Sequence, residues 1–292
     1  MGSVRAPAKL NLRLAVLARE ESGYHQIETL FARLELADEI RITEGSQGIR
    51  LNVVDAELGP AQENLVMRAA RAFFQRVARR PGIDIELIKR IPAGSGLGGG
   101  SSDAAATLVE LDRMYGTDLE RTALHEMALA LGSDVPFFLD EAPFALAWGR
   151  GERTLPLVPP PDAHVLIAIA DAPMSTRAAY ATLDAKRGGL PVSRTCLPRA
   201  GALSDWQEIA RIAENDFEEV LSEELPGAVV LRDAFMRHGA IMARLTGTGA
   251  AVYGVFDNPA DLEAASAATN RRVPHARLIR TRTAFGSPPA AP

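Results

Sequence analysis

The chain has 292 residues, of which 47% are hydrophobic and 24% are charged, and its formal net charge is -5. This composition is typical of a soluble globular protein and excludes a disordered chain, while the acidic balance argues against a nucleic-acid-binding surface. The length is sufficient for one large domain or for two ordinary ones.

The sequence predicts a cytoplasmic protein with no membrane partner. Cys196 is the single cysteine, so the chain cannot form an internal disulfide and suits a reducing compartment. The longest apolar run, residues 165–170, is far shorter than the ~20 residues that span a bilayer. Residues 1–7 are too few and too polar for a signal peptide. Cysteine and histidine are scarce and show no metal-ligand spacing, so no protein residue is assigned to a metal.

The N-terminal part of the chain predicts strands followed by a helix. Apolar side chains at every second position from Leu10 to Val16 predict a half-buried strand, with Lys9, Asn11 and Arg13 together on its other face. The elements expected next are a turn at residues 20–25, strands at residues 31–36 and 39–42, and an amphipathic helix at residues 64–77.

A glycine-rich loop between a strand and a helix is the most informative stretch. Alternation predicts a strand at residues 83–88, and the apolar spacing after Ala104 predicts a helix that ends at Gly116. Between them, residues 92–103 read Pro-Ala-Gly-Ser-Gly-Leu-Gly-Gly-Gly-Ser-Ser-Asp. Glycines let the backbone adopt positive φ and approach a ligand, and a helix start offers free N–H groups. The segment therefore predicts a phosphate-binding loop.

Other classes of glycine loop match this segment less well. A P-loop places Gly-Lys-Ser/Thr after its second glycine, and residues 92–114 contain no lysine. A dinucleotide-binding fingerprint needs an acidic residue at a strand end roughly 20 residues further on, whereas Glu120 lies in a polar segment between predicted helices. A flexible linker is disfavoured by Leu97 and by the helix that follows at once.

The C-terminal part predicts a second unit that mixes helices and strands. Residues 158–162, Val-Pro-Pro-Pro-Asp, are the best domain boundary, and residues 286–292 are expected to form a flexible tail. The predicted elements are a helix at 121–131, a hairpin with strands at 144–147 and 153–157, strands at 165–170 and 276–282, a glycine turn and strand within 245–256, and helices at 177–183, 215–221, 229–238 and 261–268. Their order favours an α+β sandwich.

The loop at residues 92–105 resembles the phosphate loop of the GHMP kinases, which are the galactose, homoserine, mevalonate and phosphomevalonate kinases and their relatives. Similarity to this family extends from Ala6 to about Phe256 and is weakest between residues 187 and 208. The resemblance implies a two-domain α+β GHMP kinase fold, with an N-terminal ribosomal-S5-like ATP-binding domain at residues 1–158 and a C-terminal ferredoxin-like α/β sandwich at residues 163–285. It also implies ATP and Mg²⁺ as cofactors.

The same resemblance implies which residues contact ATP. In the family, a serine pair after the glycines lies beside the phosphates and the metal, and Ser101 and Ser102 occupy those positions; an ordinary helix N-cap is the alternative for either one. Asn64 matches a segment beside adenine. The implied cofactor-binding set is Asn64, Pro92, Gly94, Gly96, Leu97, Gly98, Gly99, Gly100, Ser101 and Ser102.

Two residues are implied as catalytic. Asp134, in Gly-Ser-Asp-Val-Pro, matches the proposed catalytic base of the family, although its position alone favours a structural turn aspartate. Lys9 lies in residues 6–12, which resemble the first family motif, although a strand lysine is usually just a solvated charge. A cation of this kind would keep the carboxylate ionised and help to polarise the acceptor hydroxyl.

The long Gly-Leu-Gly-Gly-Gly-Ser-Ser-Asp form of the loop resembles one branch of the family, which phosphorylates the 2-hydroxyl of 4-diphosphocytidyl-2-C-methyl-D-erythritol in the non-mevalonate route to isoprenoids. Residues 21–25, Glu-Ser-Gly-Tyr-His, match a signature of this branch whose tyrosine and histidine line a cytidine pocket; simple packing is the alternative. Tyr180 resembles the aromatic residue on the other face of cytosine. The implied substrate-binding set is Asn11, Tyr24, His25, Tyr180, Thr246 and Gly247.

Two other functions are weighed against this one. Another GHMP kinase, acting on homoserine, mevalonate or a sugar, is disfavoured by the triple glycine and by residues 23–25. A non-catalytic ligand sensor on the same fold would lack the acid–base pair, whereas Lys9 and Asp134 are both present. We expect a small-molecule substrate and a monomer or weak homodimer.

Overall fold

The computed structural model describes residues 2–56, 58–169, 175–188, 200–220, 226–249 and 251–286. Cys196 and the predicted tail after Gly286 lie outside these residues. Internal contacts divide the chain into two units, both discontinuous in sequence: the first comprises residues 1–8, 36–93 and 98–141, and the second comprises residues 9–35, 94–97 and 142–292. The predicted domain boundary at residues 158–162 falls inside the second unit, and the domain division stays a prediction.

Two long strands run through both units and pair with each other: β1 (Gly2–Arg19) and β2 (His25–Glu44). The sequence predicts two short strands where β2 is continuous, because Asp38 interrupts the apolar alternation. Asp38 is nevertheless fully buried, and its carboxylate accepts hydrogen bonds from the backbone N–H groups of Arg90 (2.5 Å) and Ile91 (2.8 Å). These two N–H groups, from another segment of the first unit, therefore compensate for the cost of burying the Asp38 carboxylate.

The first unit packs helices against a small sheet. Its elements after β2 are β3 (Gly48–Val54), α1 (Leu65–Arg76), β4 (Gly82–Ile88), α2 (Gly99–Tyr115), α3 (Arg121–Leu131) and α4 (Val135–Leu139). β4 lies antiparallel to the C-terminal half of β2 and parallel to β3. The core joins the inward side chains of β2 and β4 to α1 and α2, with Phe73, Leu87 and Leu108 fully buried. The sequence predicts α1, β4, α2 and α3 but misses β3 and α4.

The second unit contains a hairpin and a separate antiparallel sheet with helices. Its elements after β2 are β5 (Phe144–Gly149), β6 (Arg153–Pro156), β7 (His164–Ile169), α5 (Thr176–Arg187), α6 (Trp206–Ile212), α7 (Pro226–Arg237), β8 (Met242–Leu245), β9 (Ala251–Phe256), α8 (Pro259–Arg272) and β10 (Arg277–Arg282). β5 pairs with the N-terminal half of β2 and with β6, and the second sheet has the order β10-β7-β9-β8. Phe217, Leu231 and Phe256 lie in the core of this unit.

Two sequence expectations in the second unit need correction. The predicted helix at residues 215–221 is wrong at its start, because Asn215 bridges to Leu14 of β1 and helical residues begin only at Glu218. The polar face of β1 is also not solvated: Lys9 and Arg13 are each 3% exposed and Asn11 is 2% exposed. Arg13 is satisfied inside the unit by ion pairs with Glu28 (3.2 Å) and Glu214 (2.7 Å).

No helix in the described parts of the chain is long and apolar enough to cross a membrane.

Candidate active site

The glycine-rich loop adopts the backbone conformation that its sequence predicts. Gly94, Gly96 and Gly98 all have positive φ, at 67°, 81° and 74°. Gly98 is the N-cap of α2, which begins at Gly99 inside the predicted loop, and no side chain caps this helix start. The first backbone N–H groups of α2 therefore lack an intrahelical acceptor and form the positive end of the helix dipole. The segment offers the polar groups that an anion such as a phosphate requires.

The side-chain hydroxyl of Ser102, in the first turn of α2, is buried and has no hydrogen-bond partner. This residue is 1% exposed, and its hydroxyl has no hydrogen-bond partner in the structure. Its backbone N–H donates to the Gly98 carbonyl oxygen (2.9 Å), which fixes the first turn. Because a buried polar atom without a partner costs roughly 1–3 kcal/mol, the Ser102 hydroxyl points to a ligand that satisfies it. The N-cap alternative is wrong for both serines, since Gly98 holds that position.

Asn64 has a structural task within the first unit. Its side-chain oxygen accepts a hydrogen bond from the Val66 N–H (2.9 Å), so Asn64 is the N-cap of α1. The expected contact with adenine remains a prediction, and the side chain would have to combine it with this cap.

The residues of the loop that belong to the second unit are fixed by backbone packing. Gly96 lies so close to the turn after β8 that a Cβ atom on it would overlap the Thr246 carbonyl oxygen. A Cβ on Gly247 would lie 3.1 Å from the Gly96 Cα atom. Leu97 is fully buried, and its carbonyl oxygen accepts a hydrogen bond from the Lys9 N–H (2.9 Å). Within this unit Gly96 and Leu97 act by holding the loop in place.

Lys9 is held by its neighbour two positions along β1. Its ammonium group donates to the Asn11 side-chain oxygen (2.5 Å) and lies 5.1 Å from the centre of the Phe31 ring. The prediction that Lys9 and Asn11 share a face is confirmed, and the interpretation of Lys9 as a solvated charge is wrong. A buried lysine with such partners is costly unless it is used.

Asn11 is the hub that connects Lys9 to the glycine turn after β8. Its side-chain oxygen accepts from the Gly247 N–H (2.9 Å), and its side-chain nitrogen donates to the Thr29 hydroxyl (2.7 Å). Its backbone N–H donates to the Thr246 hydroxyl (3.1 Å), and its carbonyl accepts from the Tyr253 hydroxyl (3.1 Å). The structure brings Lys9, Asn11, Thr246 and Gly247 together, with the Asn11 amide already engaged by protein groups.

Asp134 is the N-cap residue of the short helix α4. Its backbone is αR and its side chain makes no capping hydrogen bond. It is only partly buried, while Val135 and Phe137 after it are fully buried. The residue thus lies at the surface of the first unit at the edge of an apolar core, and capping does not explain its carboxylate.

Two residues of the predicted cytidine pocket, His25 and Tyr180, are in contact in the second unit. The rings of His25 and Tyr180 stack with their centres 4.4 Å apart and their planes at 24°. The His25 Nε2 atom lies 2.8 Å from an Asp184 carboxylate oxygen. Tyr180 packs edge-on against Phe217 (4.9 Å). The two rings are therefore in direct stacking contact.

Tyr24 stands apart from this stack as an exposed aromatic ring. It is 57% exposed, and the Arg150 guanidinium lies 4.0 Å from its ring centre. Arg150 also pairs with Glu20 (2.5 Å) and donates to the Ser22 hydroxyl (3.2 Å). The hydrogen bonds from Arg150 and Ser22 lower the pKa of Glu20. Contacts with Arg150 therefore hold the turn at residues 20–25 in place and leave the Tyr24 ring exposed.

The first unit contains a buried charged cluster against the start of α2. The Lys89 ammonium pairs with Asp38 and with Asp103 (2.8 Å), and all three side chains are at most 5% exposed. Burial raises the pKa of Asp103 to about 7, against the opposing effect of Lys89. Burial lowers the pKa of Lys89, but the charges of Asp103 and Asp38 together outweigh it and leave this pKa raised.

Comparison with known proteins places the chain in a family. Residues 64–141 match the family model of the GHMP kinases N terminal domain, and residues 199–275 match that of the GHMP kinases C terminal domain. The 4-diphosphocytidyl-2-C-methyl-D-erythritol kinase of Chlorobaculum tepidum is 36% identical over 271 residues, which are 92% of this chain and 94% of that protein. The chain belongs to the GHMP kinase family. The kinase of the same name from Salinibacter ruber is 38% identical over 265 residues, covering 89% of this chain and 92% of that protein.

The fold of this GHMP kinase agrees with the family assignment. A crystal structure of 4-(cytidine 5'-diphospho)-2C-methyl-D-erythritol kinase matches with a TM-score of 0.80 and 31% identity, covering 98% of this chain and all of that one (100%). The expected α+β GHMP kinase fold is confirmed, and the resemblance to this branch of the family is confirmed as well.

Sequence reasoning missed several residues that shape the candidate site of this GHMP kinase. Asp184 lies one helical turn after Tyr180 on α5, so the shared helix face offered a signal. Arg150 follows the hairpin glycine Gly149, and no sequence pattern indicated its contact with Tyr24. Lys89 directly follows β4 and Asp38 lies within β2, and both become informative only through the ion pairs that Lys89 forms with Asp38 and with Asp103.

Proposed function

We propose that this GHMP kinase transfers the γ-phosphoryl group of ATP to the 2-hydroxyl of 4-diphosphocytidyl-2-C-methyl-D-erythritol, giving the 2-phosphate and ADP in the non-mevalonate route to isoprenoids. The observation that carries the phosphate site is the uncapped start of α2 with the buried, partnerless Ser102 hydroxyl. Triphosphate oxygens accept hydrogen bonds from both. The choice of acceptor is supported by the relatives of that name at 36% and 38% identity.

Mg²⁺ belongs to the proposal as a companion of ATP. The described residues contain no group of three or more His, Cys, Asp or Glu side chains that could hold a metal ion by themselves. A hydroxyl beside a helix start suits an ion that is carried mainly by phosphate oxygens, since magnesium keeps oxygen ligands from phosphates and water. Bound there, Mg²⁺ would neutralise charge on the phosphates during transfer.

We propose Asp134 and Lys9 as the catalytic residues. Asp134 would accept or orient the proton of the acceptor hydroxyl, and Lys9 would polarise that oxygen. The support for Lys9 is its burial and its fixed position on Asn11 (2.5 Å), because a lysine without a task would be expected in water. The support for Asp134 is its place in Gly-Ser-Asp-Val-Pro, which resembles the family segment that holds the proposed catalytic base.

We propose that Tyr24, His25 and Tyr180 bind the cytidine moiety. Tyr24 presents an exposed ring, braced by Arg150, on which a base can stack. The Asp184 carboxylate lies 2.8 Å from His25 Nε2 and fixes the orientation of the ring, so the other ring nitrogen, Nδ1, can hydrogen-bond to the cytosine base. We include in the proposal ATP contacts from residues 92–102, a domain division near residues 158–163, a cytoplasmic location and a monomer or weak homodimer.

The test is ADP release by the purified full chain with Mg²⁺-ATP. The acceptors compared are 4-diphosphocytidyl-2-C-methyl-D-erythritol, mevalonate, homoserine and galactose. We expect turnover with the cytidylated acceptor alone. Turnover with a different acceptor would refute the substrate but keep the kinase, and ATP binding without turnover on any of them would favour a ligand sensor.

A further inference from the structure

The buried cluster of Asp38, Lys89 and Asp103 connects two strands to the helix that begins the phosphate site. Asp38 is a residue of β2, Lys89 directly follows β4, and Asp103 lies one turn into α2. Asp38 is fully committed, because its second oxygen accepts from the backbone N–H groups of Arg90 and Ile91. The hydrogen bonding of Asp103 is incomplete, because one of its carboxylate oxygens is buried without a partner.

The Lys89 ammonium group lies close to the first residue of α2 as well as to its two carboxylate partners. A Cβ atom on Gly99, the first residue of α2, would be 3.3 Å from the Lys89 Nζ atom. The cation therefore lies against the residue whose N–H group opens the helix, where its charge adds to the positive end of the helix dipole. The glycine at position 99 leaves the space that this close approach needs, since Ile91 would also crowd a Cβ there (3.0 Å).

A second observation indicates that this helix start has a ligand. The Ser102 hydroxyl, between the glycines and Asp103, is 1% exposed and lacks a partner. An anion at the uncapped N–H groups would contact this hydroxyl and be attracted by the Lys89 ammonium group. The attraction is strong because the charge lies in a partly buried setting, where water screens it less.

We propose that Lys89 is a positioning residue of the ATP phosphate site: held by Asp38 and Asp103, its ammonium group supplies positive potential at the start of α2 and strengthens binding of the triphosphate. The inference rests on the proposed function, in that ATP is the anion. It assigns opposite electrostatic effects to Lys89 and Asp103, since the cation attracts the phosphates and the carboxylate repels them. A cluster that only braced the fold would not separate the two.

The experiment is calorimetric titration of the full chain with Mg²⁺-ATP at pH 8, without an acceptor. At this pH Asp103 carries its charge, because burial raises its pKa to only about 7. The variants are Lys89→Met, which keeps the stem and removes the charge, Lys89→Arg, which restores the charge, and Asp103→Asn. Arg50→Met is the matched control, because Arg50 forms a solvent-exposed ion pair with Asp84 (2.6 Å) in the same unit. Circular dichroism confirms that each variant is folded.

We expect Lys89→Met to weaken ATP binding about tenfold or more, Lys89→Arg to recover most of the affinity, and Asp103→Asn to strengthen binding about two- to fivefold. Arg50→Met should stay within about twofold of the parent. Unchanged affinity in folded Lys89→Met, or weaker binding in Asp103→Asn, would overturn the inference. If Lys89→Met does not fold, Asp103→Asn decides alone, because unchanged or weaker binding there is also incompatible with the proposed charge effect. Absence of ATP binding by the parent chain would instead refute the proposed function.

Discussion

Alanine at Gly96 and alanine at Gly94 should have very different consequences, although both glycines have positive φ (81° and 67°). An L-residue in this conformation costs about 1–2 kcal/mol, and both variants incur that cost. At Gly94 the new methyl group meets nothing within 4 Å. At Gly96 it overlaps the Thr246 carbonyl oxygen and lies 3.0 Å from the carbonyl carbon and 3.2 Å from the Gly249 nitrogen. Because all three are backbone atoms, the loop and the turn after β8 must move apart.

Overpacking of this kind costs about 1–3 kcal/mol beyond the shared backbone strain. We therefore expect the free energy of unfolding of Gly96→Ala to lie about 1–3 kcal/mol below that of Gly94→Ala in urea titrations. A displaced loop also misplaces the phosphate site, and a shift of about 1 Å reduces turnover by roughly a hundredfold. ADP release measured beside the urea curves checks this second effect. Equal unfolding free energies and equal turnover for the two variants would show that the loop does not depend on contact with the turn.

Four individual side chains offer further tests. Asp134→Asn should lower kcat by about 10²–10⁴-fold with ATP affinity unchanged, and near-normal turnover would exclude proton transfer to this residue. Asn64→Ala should lower the free energy of unfolding by about 1 kcal/mol through loss of the α1 cap, with Asn64→Ser restoring it; a change in ATP affinity alone would favour the adenine contact instead. Burial raises the pKa of Asp103 from 3.8 to about 7, so the folded chain holds this proton more tightly than the unfolded chain. The stability that the bound proton contributes is lost as pH rises through about 7. Unfolding curves should therefore show Asp103→Asn gaining stability over the parent from about pH 4 to about pH 8, and a constant difference would refute the pKa shift. Asp184→Ala should raise KM for the cytidylated acceptor about tenfold and leave KM for ATP unchanged, because His25 loses the partner that fixes its ring; equal effects on both would indicate a general structural role.

Local signals predicted much of the fold correctly. The strand at residues 83–88, the helix that ends at Gly116 and the hairpin around Gly149 all form, because alternation and glycine punctuation depend on adjacent residues. The break expected in β2 is absent, because Asp38 is compensated by groups far along the chain. The burial of Lys9 and Arg13 escaped prediction for the same reason: charged side chains enter a core only when distant partners meet them.

The glycine-rich loop and the family were predictable from the sequence, since both depend on contiguous residues from Pro92 to Asp103 and on short motifs such as residues 21–25. The structural roles of individual glycines and charged side chains became apparent only from contacts in the folded chain. Gly96 needs to be glycine because of Thr246, which lies 150 positions further along the chain, and His25 is oriented by Asp184, 159 positions away. Packing contacts and buried ion pairs depend on distances in space, and a chain that folds through long-range contacts does not encode those distances in any local pattern.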